Sequence, residues 1–217
     1  MSGFTAEDYD TALSGIKTPL KTGKFSYSNL GMALLGDILA DHLEMTYEDA
    51  VKKHLLQPLG MHDTHVADLA YEAQRLAIGH DGAGVPMPPF DWPRMEPAGL
   101  WRSTTSDMLI YLKAHLGHAG AAWRHTLNRC ALPAFSDKKR AGVGLGWQIS
   151  HSDERGLIPW HNGQTFGQKS IAMFAKDRDC AVIMLSNKVP RLWQYFTPSY
   201  YIERLALGVL KSKLGES

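Results

Sequence analysis

Between Val143 and Ser186 the sequence sets four strand-like segments almost end to end: Val143–Ile149, Leu157–Trp160, Phe166–Ala175 and Cys180–Ser186. A parallel crossover needs a dozen or more residues, and these gaps are shorter, so the segments predict antiparallel hairpins. In the middle of the run lies Trp160-His161-Asn162-Gly163-Gln164-Thr165-Phe166-Gly167, an imidazole, a carboxamide and two glycines between apolar stretches. A glycine inside a strand pattern suggests close backbone approach by something else, often a ligand. The plainer alternative is a hairpin edge carrying an exposed histidine.

Such a sheet needs helices to cover it, and the flanking sequence supplies them. Thr5 and Asp8 form a capping-box-like start, with Tyr9, Leu13 and Ile16 following at helical spacing before Thr18-Pro19. Leu30, Leu34, Leu35, Ile38 and Leu39 make the apolar stripe of a second helix capped by Ser28 or Asn29, with Gly31, Ala33 and Gly36 leaving room for close packing. Thr46 to Asp49 opens a third helix through about Leu56, stopped by Pro58 and Gly60. From Ala67 to Pro97 periodicity dissolves into a proline- and aromatic-rich loop. Its expected role is a wall or lid, or else a connector. Ser103 to Asp107 starts a helix through about Leu116, and another spans about Ala121 to Cys130. A last helix covers roughly Pro198 to Lys213. Helices, then a strand meander, then a closing helix predict an α+β fold in one domain over 1–217. Its helical lobe spans about 1–140, and its sheet and C-terminal helix about 141–217.

Composition narrows the function classes. The 217 residues carry a net charge of +1, which argues against a nucleic-acid or anionic-membrane partner. No apolar run reaches the length of a membrane span. The N-terminus lacks the basic and apolar regions of a signal peptide, which predicts a cytoplasmic location if Met1 is the true start. Cys130 and Cys180 read as two buried thiols or one disulfide. The ten histidines show no metal-site spacing, so neither a metal nor another cofactor is predicted.

Five landmarks in order carry a resemblance. They are Tyr27-Ser28-Asn29 opening a helix, Pro58-Leu59-Gly60-Met61 with Asp63-Thr64, and Ala98-Gly99-Leu100-Trp101 with Ser103-Thr104 and Asp107. Gly144-Leu145-Gly146-Trp147 follows, then His161-Asn162-Gly163 with Thr165 and Gly167. Together they resemble the penicillin-recognising serine hydrolases: class C β-lactamases, related (family VIII) esterases and D-alanyl-D-alanine peptidases. The likeness covers about residues 5 to 210 and implies a β-lactamase/transpeptidase-like fold. It also implies acyl-enzyme hydrolysis of ester or amide substrates, β-lactams and D-Ala peptides among them. Tyr27 would shuttle the proton and Asn29 would hold the substrate amide or the motif lysine. His161 would stand where the family has a strand lysine or histidine. Asn162, Gly163, Gln164 and Thr165 would bind substrate, with the Gln164 N–H as an oxyanion donor. His-x-Gly in this family is more typical of esterases and D-alanyl peptidases, so ester or peptide-like acyl groups are expected ahead of β-lactams.

One element departs from the pattern. The family's Ser-x-x-Lys nucleophile lies several tens of residues before Tyr-x-Asn, and only 26 residues precede Tyr27. Ser14-Gly15-Ile16-Lys17 and Ser136-Asp137-Lys138-Lys139 match the string, where roughly one chance match is expected. Ser14 with Lys17 precedes Tyr27; Ser136 follows it. The resemblance thus implies a form shortened at its N-terminus. Three outcomes stay open: a hydrolase completed by a segment from elsewhere, a non-catalytic acyl- or peptidoglycan-ligand binder, or an enzyme that recruits Ser14. An uncovered sheet edge and helix face would then favour self-association or binding of an N-terminal partner segment.

Overall fold

A computed structural model describes residues 4–16, 23–66, 75–136, 142–152, 156–191 and 202–213. The chain divides into two compact units, one of Met1–Arg75 with Phe90–Ser103, the other of Leu76–Pro89 with Thr104–Ser217.

The first unit begins with α1 (Ala6–Ser14), set by the reciprocal bonds of a capping box. The Asp8 N–H donates to Thr5 Oγ1 at 3.2 Å and the Thr5 N–H to Asp8 Oδ2 at 2.8 Å. Tyr9 is fully buried, and its hydroxyl donates to Asp37 Oδ2 at 2.6 Å from α2 (Asn29–Leu43). Arg94 lies over the Tyr9 ring, 4.4 Å from its centroid, and reaches both Asp10 and Asp37. Burial, then the Asp37 carboxylate, pushes the Tyr9 phenol up to about 12. This phenol is a structural post, not an acid.

The α2 stripe turns opposite to expectation. Ala33 and Gly36 are the buried positions of α2, while Leu34, Leu35, Ile38 and Leu39 are exposed. The cause lies at Pro97, on α5 (Glu96–Gly99). A Cβ added at Gly36 would sit 2.0 Å from the Pro97 Cγ, so the helix is seated by its small residues. Tyr9, Ala33, Met95 and Leu100 form the core, with Phe4, Leu30, Phe90 and Trp92 around them.

After α3 (Tyr47–Val51), capped by Thr46, the helix widens into a π-turn over Lys52–Leu56 and ends as α4 (Gln57–Leu59). Pro58 has no N–H to donate and its ring crowds the preceding turn, which a wider turn accommodates. Strand β1 (His65–Val66) pairs antiparallel with β4 (Trp101–Arg102). Buried Arg102 donates to the carbonyls of Leu100 and Phe90 at 2.8 and 2.7 Å.

The second unit holds the predicted meander. Strands β5 (Gly142–Val143), β6 (Gln148–Ser152), β7 (Gly156–Gln164), β8 (Lys169–Ala175) and β9 (Cys180–Ser186) lie in sequence order, every neighbouring pair antiparallel. Alternation sends successive side chains to opposite faces. One face (Ile158, Ile171, Met173, Ala175, Val182) packs on Ala206 and Leu210 of α8 (Ile202–Lys213). The other (Ile149, Ala172, Phe174) packs with Trp147 on Leu112 of α6 (Thr105–Leu116). Alongside α6 runs α7 (Ala121–Ala131). The first part of the last predicted helix, residues 198–201, lies outside the described residues.

The long loop divides. Residues 67–74 lie outside the described residues, and Phe90 and Trp92 join the first unit's core. Between them, the hairpin of β2 (Gly79–His80) and β3 (Pro86–Met87) is fastened to the sheet. The His80 N–H donates to the Gly167 and Asn187 carbonyls at 3.0 and 2.8 Å, and Gln168 Nε2 to the Ala77 carbonyl at 3.0 Å. A Cβ on Gly167 would lie 2.7 Å from the Gly79 carbonyl carbon, so Gly167 is needed for this contact.

Candidate active site

Tyr27 and Asn29 flank the N-cap of α2. Ser28 is the cap, its Oγ accepting from the Gly31 N–H at 2.9 Å, which fixes the backbone between the two candidates. Tyr27 is 54% exposed and Asn29 is exposed as well. Ser14 is the last residue of α1, and its hydroxyl donates to the Asp10 carbonyl at 2.8 Å. Lys17 lies outside the described residues.

His161, Asn162, Gly163 and Gln164 lie inside β7, and the turn follows at Thr165, whose N–H donates to the Gln168 carbonyl at 2.9 Å. The expected placement between two strands is thereby corrected: the motif is itself the end of a strand. Its β8 side is laddered through Gln164↔Lys169. Its β6 side is paired only as far as Gln148↔Trp160, so His161–Gln164 extend past the end of β6 as a lip.

Alternation splits the motif. His161 and Gly163 stand opposite Ala172 and Ser170, on the α6 face; a Cβ on Gly163 would meet Ser170 Oγ at 3.2 Å. Burial lowers the His161 imidazole below the ordinary histidine value, partly offset by a hydrogen bond with the Asn162 backbone. The shift favours the neutral imidazole, suited to giving or taking one proton rather than to supplying a standing positive charge.

Asn162 and Gln164 are on the α8 face. Asn162 Nδ2 donates to Glu203 Oε1 at 2.7 Å, and Lys169 Nζ lies 3.0 Å from the same oxygen. Lys169 is 7% exposed. Glu203 Oε2 is buried with no hydrogen-bond partner among the described residues. Burial pushes the Glu203 carboxyl up, but the bonds from Asn162, its own backbone and Lys169 outweigh this and hold it below its ordinary value. Sequence reasoning missed Lys169, Ser170 and Glu203. A lysine at an inward position of an apolar strand was the one available signal.

A family model for beta-lactamases matches residues 12–206. The chain belongs to the beta-lactamase family. A beta-lactamase of Providencia stuartii is 24% identical over 209 residues, covering 82% of this chain and 54% of that protein. Protein flp of Staphylococcus aureus (strain MW2) is 30% identical over 200 residues, covering 87% of this chain and 39% of that protein. The structure of a class C beta-lactamase mutant matches with a TM-score of 0.77 at 23% identity, over 92% of this chain and 63% of that one. The fold is thus the α+β beta-lactamase/transpeptidase-like fold, and the chain spans roughly half of the Providencia enzyme's length.

Proposed function

We propose that the chain works as one beta-lactamase-like domain of a serine hydrolase acting on ester or amide acyl groups, and that turnover is impaired in this chain by itself. The chemistry is nucleophilic. A serine Oγ bonds to the acyl carbonyl carbon, its proton passes through Tyr27 to the departing alcohol or amine, and water then cleaves the acyl-enzyme. Asn29 holds the substrate amide. His161 exchanges a proton with the leaving group. Gly163 admits the acyl chain, the Gln164 N–H stabilises the oxyanion, and Thr165 with the backbone of Asn162 flanks the bound substrate. The observation that carries this is the β7 lip, running past β6 with His161 and Gly163 on one face.

Ser14 is the nucleophile that Ser-x-x-Lys spacing offers, together with Lys17. Its bond to Asp10 at the C-terminal end of α1 must break before it can attack, which favours a second reading: a non-catalytic binder of acyl or peptidoglycan-like ligands. Labelling with a fluorophosphonate and a fluorescent penicillin, followed by peptide mapping, separates the two. An adduct on Ser14 supports catalysis. Saturable binding without an adduct supports the binder, and neither would contradict both.

We further propose that the chain self-associates through the exposed Leu34, Leu35, Ile38 and Leu39 of α2, an apolar patch of the kind that marks interfaces. A monodisperse 24.1 kDa species by sedimentation would contradict this, and dissociation on adding an N-terminal segment of a relative would show that segment to be the preferred occupant.

A further inference from the structure

We infer that Glu203 is a positioning residue that clamps the site-bearing end of β7 to α8 through Asn162 and Lys169, which rests on the assignment of β7 as the acyl-binding strand. Three observations converge. The ladder between β7 and β8 closes at the turn after Gln164↔Lys169, and the ladder between β6 and β7 ends earlier, at Gln148↔Trp160. At that point one carboxylate oxygen receives both Asn162 Nδ2 and Lys169 Nζ, one from each strand of the hairpin. Glu203 itself stands in the first turn of α8, where the helix dipole favours a negative charge, and α8 is anchored in the core by Ala206 and Leu210.

The division of labour follows from the pleat. Residues on the α8 face of the lip are spent on holding it, which leaves His161 and Gly163 on the α6 face at a fixed height. Asn162 therefore acts as an anchor for its neighbours on either side. An ion pair between a buried lysine and a partly buried glutamate contributes little net stability compared with apolar residues of similar volume, so its placement beside the lip points to geometry rather than to folding energy.

Glu203→Ala leaves Lys169 buried without its carboxylate and is expected to fold poorly, so the deciding variant is the double substitution Lys169→Met with Glu203→Leu. It removes both charges while keeping volume. The expected result is a melting temperature within a few degrees of the parent, with amide hydrogen exchange at least tenfold faster in His161–Gln164 and unchanged in Ile171–Ala175. The His161 ring titration, followed by NMR, should also move up toward the ordinary histidine value as the lip loosens. Lys169→Arg keeps the pair and should restore parental exchange. Unchanged exchange and titration in the double variant would overturn the clamp. Affinity for N-acyl-D-alanyl-D-alanine, measured alongside, keeps the two ideas apart. If the parent chain binds none while the variant's lip still loosens, the clamp stands and the acyl-binding assignment falls.

Discussion

The two segments that carry candidate chemistry are held in opposite ways. The sheet that carries β7 is packed on both faces, by α6 on one and α8 on the other, and the exposed end of β7 is tied to α8 by the hydrogen bond from Asn162 to Glu203. The start of α2 is seated by Ala33, Gly36 and one serine cap, while its leucines and isoleucine face outward. Two-sided packing leaves a strand little freedom to shift. A helix seated on a small-residue face is fixed in depth, by close approach, but carries its large apolar surface unspent. The first segment is held by its sheet, and the second keeps a large apolar face exposed.

The largest effect that would break this contrast is at Gly36. Gly36→Ala puts a methyl into Pro97, and overpacking should cost about 3 kcal/mol. A thermal melt followed at Trp92 should show the loss, while exchange in β7 and β8 stays at parental rates. If β7 loosens equally, the two segments are not held independently.

Next comes acid. His115 on α6 is buried among Tyr111, Trp147 and Phe174, with neither ring nitrogen hydrogen-bonded among the described residues. Burial, and then the charge of Lys176, lowers it from 6.5 to about 4. The folded state thus resists a proton that the unfolded chain accepts. This contribution is fully present above pH 6.5, declines below it, and is lost by about pH 4, a span of about 3 kcal/mol. Urea midpoints measured from pH 7 to 4 should fall accordingly, and His115→Leu should flatten that fall. A parental slope in the variant would assign the acid sensitivity elsewhere.

A smaller effect is expected at the cap. Ser28→Ala should cost about 1 kcal/mol and raise exchange in the first turn of α2 without touching the His161 titration. Smallest in stability is Ile38→Glu, within about 0.5 kcal/mol because the side chain is already 55% exposed. The same change should nevertheless abolish concentration-dependent sedimentation. Persistence of the larger species would move the association surface away from α2.

Much of this architecture is written locally. The capping box at Thr5, the cap at Thr46 and the order of the close-spaced antiparallel strands depend on residues a few positions apart and formed as the pattern implied, although the expected strand Val143–Ile149 divides into β5 and β6 and that from Phe166 begins only at Lys169. The orientation of α2 was not legible, because a helix with one small face and one large apolar face does not declare which will find a partner; Pro97 decides it from 61 positions away. The extent of β7 was misread because the polar, glycine-containing run from His161 looked like the stretch between two strands, whereas it continues the ladder with β8 as far as Gln164↔Lys169. Asn162, Lys169 and Glu203 were invisible as a set. Their meeting depends on strand parity and on where α8 lands, neither of which leaves a motif.

The central claim, that the β7 lip receives the acyl ligand, is tested most directly by titrating N-acyl-D-alanyl-D-alanine into the isotopically labelled chain and following backbone amides. Saturable shifts concentrated at His161–Thr165, abolished by Gly163→Val, are the predicted result. Shifts that are absent, or that gather elsewhere and survive Gly163→Val, would contradict it.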